Sequence, residues 1–239
     1  MARFSALPAP VARYLECALQ DRSEDVTRAR FDQAGEFLLR PGARHGFARF
    51  EAVEDFVVDP PGFAWEARIR IGPGLSVRVH DALRAGRGSM RAELLGIVRL
   101  AAPPPSHELT AGALHRYLAE AVLLPSALAP GHGVTWTPLD ENRARATLTE
   151  GGVMVALDFT FRSADGLVDS VYAADRMRAS HGRFLPTPWR GLWRDYEIHG
   201  GMRVPTRGEV AWLLPDGPLT YWRGRIRSYL YDFADARSA

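Results

Sequence analysis

Hydrophobic positions along the chain fall first into a helical pattern and then into a strand pattern. Val11, Tyr14, Leu15, Ala18 and Leu19 recur at i, i+3, i+4, i+7 and i+8, so they share one face of a helix. Pro8 or Pro10 suits the first turn, where a missing N–H costs nothing, and the spacing predicts a helix over 8–20. From Val26 the period drops to two. Trp65, Ala67, Ile69 and Ile71 take one face of a strand, and Glu66, Arg68 and Arg70 the other. After a turn at Gly72-Pro73-Gly74, Leu75, Val77, Val79, Asp81 and Leu83 alternate with Ser76, Arg78, His80 and Ala82. Gly86-Arg87-Gly88 predicts a further turn into a strand from Ser89 to Leu100, and 28–40 and 47–58 read as two earlier strands.

The prolines at 103–105 end this run, because proline cannot sit in a central strand. A second helix follows over 110–124, with Thr110 as its expected N-cap. Its apolar stripe is Leu114, Tyr117, Leu118, Ala121 and Val122, and Pro125 stops it. A second alternating half spans 133–231, most clearly at Val153, Val155, Leu157, Phe159 and Phe161, with turn signals at Ala164-Asp165-Gly166 and Pro215-Asp216-Gly217. Its last strand puts Arg223, Arg225 and Arg227 on one face, read as a solvated outer surface. Closely spaced strands joined by short turns predict an antiparallel meander, not βαβ units. The expected fold is α+β, mainly β: one domain over 1–239, in which a curved antiparallel sheet, a half-barrel, wraps the central helix. Helix 8–20 with strands 26–100, then helix 110–124 with strands 133–231, make two similar parts without a residue-level repeat.

Composition narrows the function classes. The chain has 239 residues, 46% hydrophobic and 24% charged, in the range of ordinary globular proteins. A net charge of +2 demands no polyanionic partner, and no nucleic-acid motif interrupts the mixture of arginines and acids. All 30 basic residues are arginine, which excludes a lysine nucleophile or Schiff base. Cys17 is alone, so it forms no internal disulfide and reads as a packing residue. No secretory h-region and no apolar run of spanning length occurs, so a cytoplasmic location without a membrane span is expected. The glycine clusters lie between strands and fit neither a dinucleotide nor a phosphate loop; there is no Gly-x-Ser-x-Gly elbow, and the histidines show no metal-ligand spacing. Neither a metal nor a cofactor is expected.

Three constellations remain. Arg116 and Glu120, one helical turn apart, read either as an exposed i, i+4 ion pair or as a covered polar anchor, because Leu123 lies on the same side. Asp81 falls on the apolar face of its strand; an unpaired carboxylate there is costly, and Arg116 is its expected partner. The stretch from Pro186 to Tyr196, running on to His199, reads as a long structured loop. Its Trp189, Trp193 and Tyr196 either close one end of the barrel or rim an apolar cavity.

Several segments together resemble a family of uncharacterised bacterial proteins known as a domain of unknown function. They are Leu7-Pro8-x-Pro10-Val11-x-x-Tyr14-Leu15, Gly62-Phe63-x-Trp65-x-Ala67-Arg68, Arg116-Tyr117-Leu118-Ala119-Glu120, Pro125-x-Ala127-Leu128, Pro188-Trp189, Tyr196, Gly201-x-x-x-Pro205 and Glu209-Val210-x-Trp212. The resemblance covers nearly the whole chain and implies no activity. Leu124 departs from it, standing where an aromatic residue is expected. The alternation is also similar, at the level of fold, to the open β-barrel of lipoprotein-carrier proteins.

The pattern favours a binding protein for a hydrophobic or lipid-like small molecule, with Trp65, Tyr117, Trp189, Trp193 and Tyr196 as candidate ligand contacts. The alternative is a cofactor-independent enzyme in the same cavity, its acid and base drawn from Asp81, Glu120, His115 or His199 and its electrostatic stabiliser Arg116. A third reading is a protein-interaction module using the aromatic stretch. Oligomeric state is left open by the sequence.

Overall fold

The computed structural model describes residues 4–20, 22, 24–39, 46–180 and 182–234, so His45, His181 and position 40 at the end of the first expected strand lie outside the described residues. Helix α1 runs over Ala9–Leu19, with Val11, Tyr14, Leu15, Ala18 and Leu19 all buried as the stripe requires. Six strands follow: β1 Val26–Leu38, β2 Phe47–Val57, β3 Gly62–Gly72, β4 Leu75–Arg84, β5 Arg87–Leu94 and β6 Val98–Ala101. Helix α2 covers His107–Glu120 and continues into 3₁₀ turns at Ala121–Leu123 and Pro125–Leu128. Seven more strands follow among the described residues: β7 Thr135–Pro138, β8 Arg143–Glu150, β9 Val153–Phe161, β10 Val168–Ser180, β11 Arg183–His199, β12 Met202–Leu214 and β13 Gly217–Phe233.

Among the described residues, the thirteen strands form one antiparallel sheet in the order β6-β5-β4-β3-β2-β1-β13-β12-β11-β10-β9-β8-β7. The first and last strands therefore pair in the middle, and the wings β2–β6 and β7–β12 extend either side of them. A sheet with one apolar face must cover that face, and native twist curls it into a half-barrel. Helix α2 links the two outer edges across the concave side, packing on β4, β5, β8, β9 and β10. The wings meet where the β4–β5 turn touches the β8–β9 turn: a Cβ on Gly86 would stand 2.6 Å from the Gly151 Cα.

Several local expectations are corrected. Ser106, not Thr110, is the N-cap of α2; its Oγ accepts from the Leu109 N–H at 3.1 Å. Thr110 instead donates to the Ser106 carbonyl and accepts from the Gly88 N–H, locking the helix to β5. The turn after β4 is Ala85–Gly86, both at positive φ, one residue earlier than expected. Gly88 is spared a side chain for another reason: a Cβ there would lie 2.6 Å from the Leu109 carbonyl oxygen. The expected strand 89–100 is broken by a second such turn at Leu95–Gly96.

The largest correction concerns the aromatic stretch, which is not a loop but part of strand β11. Pro186 and Pro188 are tolerated because they lie where β11 extends beyond its pairing with β12, which begins at Trp189, and Pro188 sits at an irregularity in the pairing with β10. Trp189, Gly191 and Trp193 alternate onto the buried face. The arginine stripe of β13 is exposed as expected, its charges paired with Glu36, Glu197 and Glu51. Cys17 packs half-buried against the core.

Candidate functional site

Strand alternation carries a row of side chains across the concave face. Glu54 of β2 stands beside Trp65 of β3, Trp65 beside Asp81 of β4, and Asp81 beside Met90 of β5. Arg116 projects from α2 onto this row. Its guanidinium lies over the rings of Phe63 and Trp65, 4.8 and 4.9 Å from their centroids. Nη1 donates to Asp81 Oδ2 at 2.9 Å, Nη2 to Glu54 Oε1 at 2.7 Å, and Nε to both carboxylate oxygens of Glu120 at 3.1 Å. The expected Asp81–Arg116 pair is present. The exposed reading of the Arg116–Glu120 pair is corrected: both side chains are largely covered, because the curled wing closes over that side of the helix.

The network extends to two residues that sequence reasoning missed. Glu54 is fully buried; its Oε2 accepts from Gln33 Nε2 at 2.6 Å, and Gln33 Oε1 accepts from Trp65 Nε1 at 2.9 Å. The signal was available, since Phe50, Ala52, Glu54 and Phe56 alternate onto one face, as do Ala29, Phe31 and Gln33. One guanidinium facing three carboxylates leaves a formal charge of −2 if all are ionised. Burial first, and then the neighbouring Glu120, push the Glu54 carboxyl well above the usual carboxylate range, against the opposing pull of Arg116 and Gln33. Burial opposes the charge on Arg116, but Glu120, Glu54 and Asp81 together outweigh it and raise its pKa.

Beside the network lies an apolar cavity of about 460 Å³, between α2 and the concave face. Trp65, Trp189, Trp193 and Trp222 wall it, and Val77, Val79 and Ala92 continue the apolar surface; Asp81, Arg116 and Glu120 supply one polar end. The indoles lie flat because the strand positions beneath them are glycine: a Cβ on Gly208 would meet Trp193 at 2.9 Å, and one on Gly224 would meet Trp222 at 2.6 Å. Arg176 of β10 forms another polar point, donating to the Tyr221 hydroxyl at 3.2 Å and the Gly112 carbonyl at 3.0 Å, with Trp189 beneath it.

Of the expected ligand contacts, Trp65, Trp189 and Trp193 line the cavity. Tyr117 and Tyr196 do not line it. Tyr117 stacks on Phe56 at 4.8 Å and donates to the Val58 carbonyl, on a core face of α2 away from the cavity. Tyr196 follows Asp195, which takes a positive φ of 54° with the β11–β12 register unbroken, and donates to the Val168 carbonyl at 2.8 Å. Two acid–base candidates are also displaced. His115 is buried against the Ala111 carbonyl at 2.9 Å, and His199 stacks on Tyr229 at 4.0 Å near the far end of β11. Burial, reinforced by the charge of Arg176, pushes the His115 imidazole down to about 4. Among the described residues no group of three or more His, Cys, Asp or Glu is placed to hold a metal ion.

The model of a family of unknown function (DUF6920) matches residues 5–231. The chain belongs to this family. No curated protein matches the sequence. Among solved structures, this DUF6920 chain is similar to a LolA superfamily protein from Nitrosomonas europaea, at 10% identity over 95% of this chain and 94% of that one, with a TM-score of 0.37. It is also similar to a β-barrel-like protein of domain of unknown function DUF1849 from Brucella abortus, at 11% identity over 89% of this chain and 100% of that one, with a TM-score of 0.24. At these scores neither likeness bears on what the DUF6920 chain binds. Among its described residues no helix is long and apolar enough to cross a membrane.

Proposed function

We propose that the protein binds a hydrophobic, lipid-like small molecule in the cavity between α2 and the concave face of the sheet. The observation that carries this reading is the tryptophan-walled cavity itself. At about 460 Å³ it falls in the range of small-molecule sites, which are mostly apolar with a few fixed polar groups. The Arg116 network fits the role of such a polar end, since hydrogen bonds among its members fix their positions.

Native mass spectrometry of freshly purified protein tests the reading directly, by detecting a co-purifying apolar molecule. The uncharged dye N-phenyl-1-naphthylamine gives a second measurement. Its uptake should quench the fluorescence of Trp189 and Trp193, and a Val79→Arg substitution, which fills the cavity with a charged chain, should abolish uptake. No bound mass together with no dye uptake would sink the proposal.

A second reading, an acid–base enzyme without a cofactor, is favoured by one observation: Asp81 and Glu120 reach the same cavity, and Glu120 adjoins Glu54, whose carboxyl burial pushes up. In that case Glu120→Gln would abolish a measured turnover without lowering dye affinity. In a binding protein it would leave dye uptake intact, with no turnover to lose.

A further inference from the structure

The hairpin ends of the first wing carry an exposure pattern that folding does not explain. Ile71 and Leu75 flank the β3–β4 turn, and Leu95, Ile97, Val98 and Leu100 occupy the β5–β6 hairpin; all six are exposed, Ile97 to 84%. Antiparallel register puts these two turns side by side, with the Leu95 N–H donating to the Ser76 carbonyl at 2.9 Å. The turn itself is built against local preference. Leu95 and Gly96 have φ of 54° and 72°, and the Ile97 N–H closes the turn onto the Leu94 carbonyl at 3.0 Å. Both central positions of such a turn need positive φ, which asparagine or glycine accepts and leucine resists. A strained leucine followed by a solvent-facing isoleucine, next to an edge strand with apolar side chains, reverses the usual protection of sheet edges.

Charge identifies what would cover this tip. Arg78 lies against the Gly96 turn and Arg99 lies in β6; both are exposed, and among the described residues neither has a carboxylate partner. The only acid opposite them in the ladder, Glu93, is engaged by Arg91 at 3.2 Å. No acidic residue occurs in the sequence from 67 to 80 or from 94 to 107. Exposed aliphatic side chains flanked by unneutralised arginines complement an anionic lipid surface, where the apolar groups enter the headgroup boundary and the guanidiniums meet phosphate. Leu100 belongs to the tip and to the wall of the cavity, so a surface bound there would adjoin the cavity mouth.

We propose that the β3–β4 and β5–β6 tip docks the half-barrel onto an anionic bilayer surface. The docking does not require the ligand reading, and the two fail separately: one in dye uptake, the other on vesicles. The full chain is sedimented with vesicles of equal parts phosphatidylglycerol and phosphatidylcholine, and with vesicles of phosphatidylcholine alone. The protein should bind the anionic vesicles and bind the neutral ones at least about tenfold more weakly, because each arginine near an anionic surface contributes about fivefold. Leu95→Asn with Ile97→Ser suits the turn chemistry and should hold the melting temperature, yet weaken vesicle binding at least about tenfold by removing buried aliphatic area. Arg78→Gln with Arg99→Gln should erase the preference for anionic vesicles. The proposal is overturned if the protein stays in the supernatant with both vesicle types, or if the Leu95/Ile97 variant binds as the parent does. It is equally overturned if sedimentation velocity shows a dimer that this variant dissolves, since the tip would then belong to a second copy of the chain.

Discussion

Replacing Arg116 by methionine keeps an unbranched stem of similar reach and removes the guanidinium that lies over Phe63 and Trp65. Three carboxylates then lose a common partner that now donates at 2.7, 2.9 and 3.1 Å. Breaking a buried ion pair from one side costs about 3–5 kcal/mol. The lower end applies here, because the Asp81 side chain is 25% exposed and burial already pushes the Glu54 carboxyl towards its neutral form. A loss of about 3 kcal/mol in a chain of this size lowers the melting temperature by roughly 6–12 °C. Urea unfolding of parent and variant at neutral pH measures the loss. Adding Glu120→Gln to Arg116→Met should recover about 1 kcal/mol at neutral pH by removing one orphaned charge. A loss below about 1 kcal/mol, or no recovery in the double variant, would refute the reading of this cluster as a charge network.

His115 predicts a pH effect of defined sign. Its folded pKa is pushed down to about 4, below the unfolded value, so between that pH and about 6.5 the unfolded chain binds more protons and stability falls on acidification, by about 3 kcal/mol in full. The raised pKa of Glu54 acts in the opposite direction, its stabilising share being lost as pH rises through the folded value. The test is therefore the difference in unfolding free energy between parent and His115→Gln, which should grow in the variant's favour as pH falls through this window; a constant difference contradicts it. Gly88→Ala should destabilise by about 1–3 kcal/mol, because the new Cβ would press on the backbone of Leu109 and Thr110, which cannot give way as a side chain would. Gly112→Ala, in the same helix with nothing within 4 Å of the added Cβ, should instead stabilise by about 0.5–1 kcal/mol. Thermal melts of the pair would falsify the packing argument if both substitutions moved in the same direction.

What the sequence determined by itself was local periodicity and its immediate consequences. The α1 stripe, the alternation that turns Asp81 inward, the outward arginines of β13 and the need of a buried carboxylate for a cation all follow from the spacing of residue types. The same alternation pointed Glu54 and Gln33 inward, but pattern alone does not say which inward polar groups meet, and their partners lie on other strands and on α2. Tertiary structure decided the rest. Arg116–Glu120 is a covered pair only because the wing closes over it. Trp189 and Trp193 become cavity walls rather than loop residues because β11 outruns β12, leaving room for two prolines that would break a fully paired strand. Tyr117 and Tyr196 lie off the cavity because a helix has several faces and a positive φ at Asp195 redirects the chain just before Tyr196. Periodicity is a property of neighbours in the chain, whereas a cavity and its charges belong to surfaces brought together from both halves of the sheet, and only the curl of that sheet fixes which side chains share them.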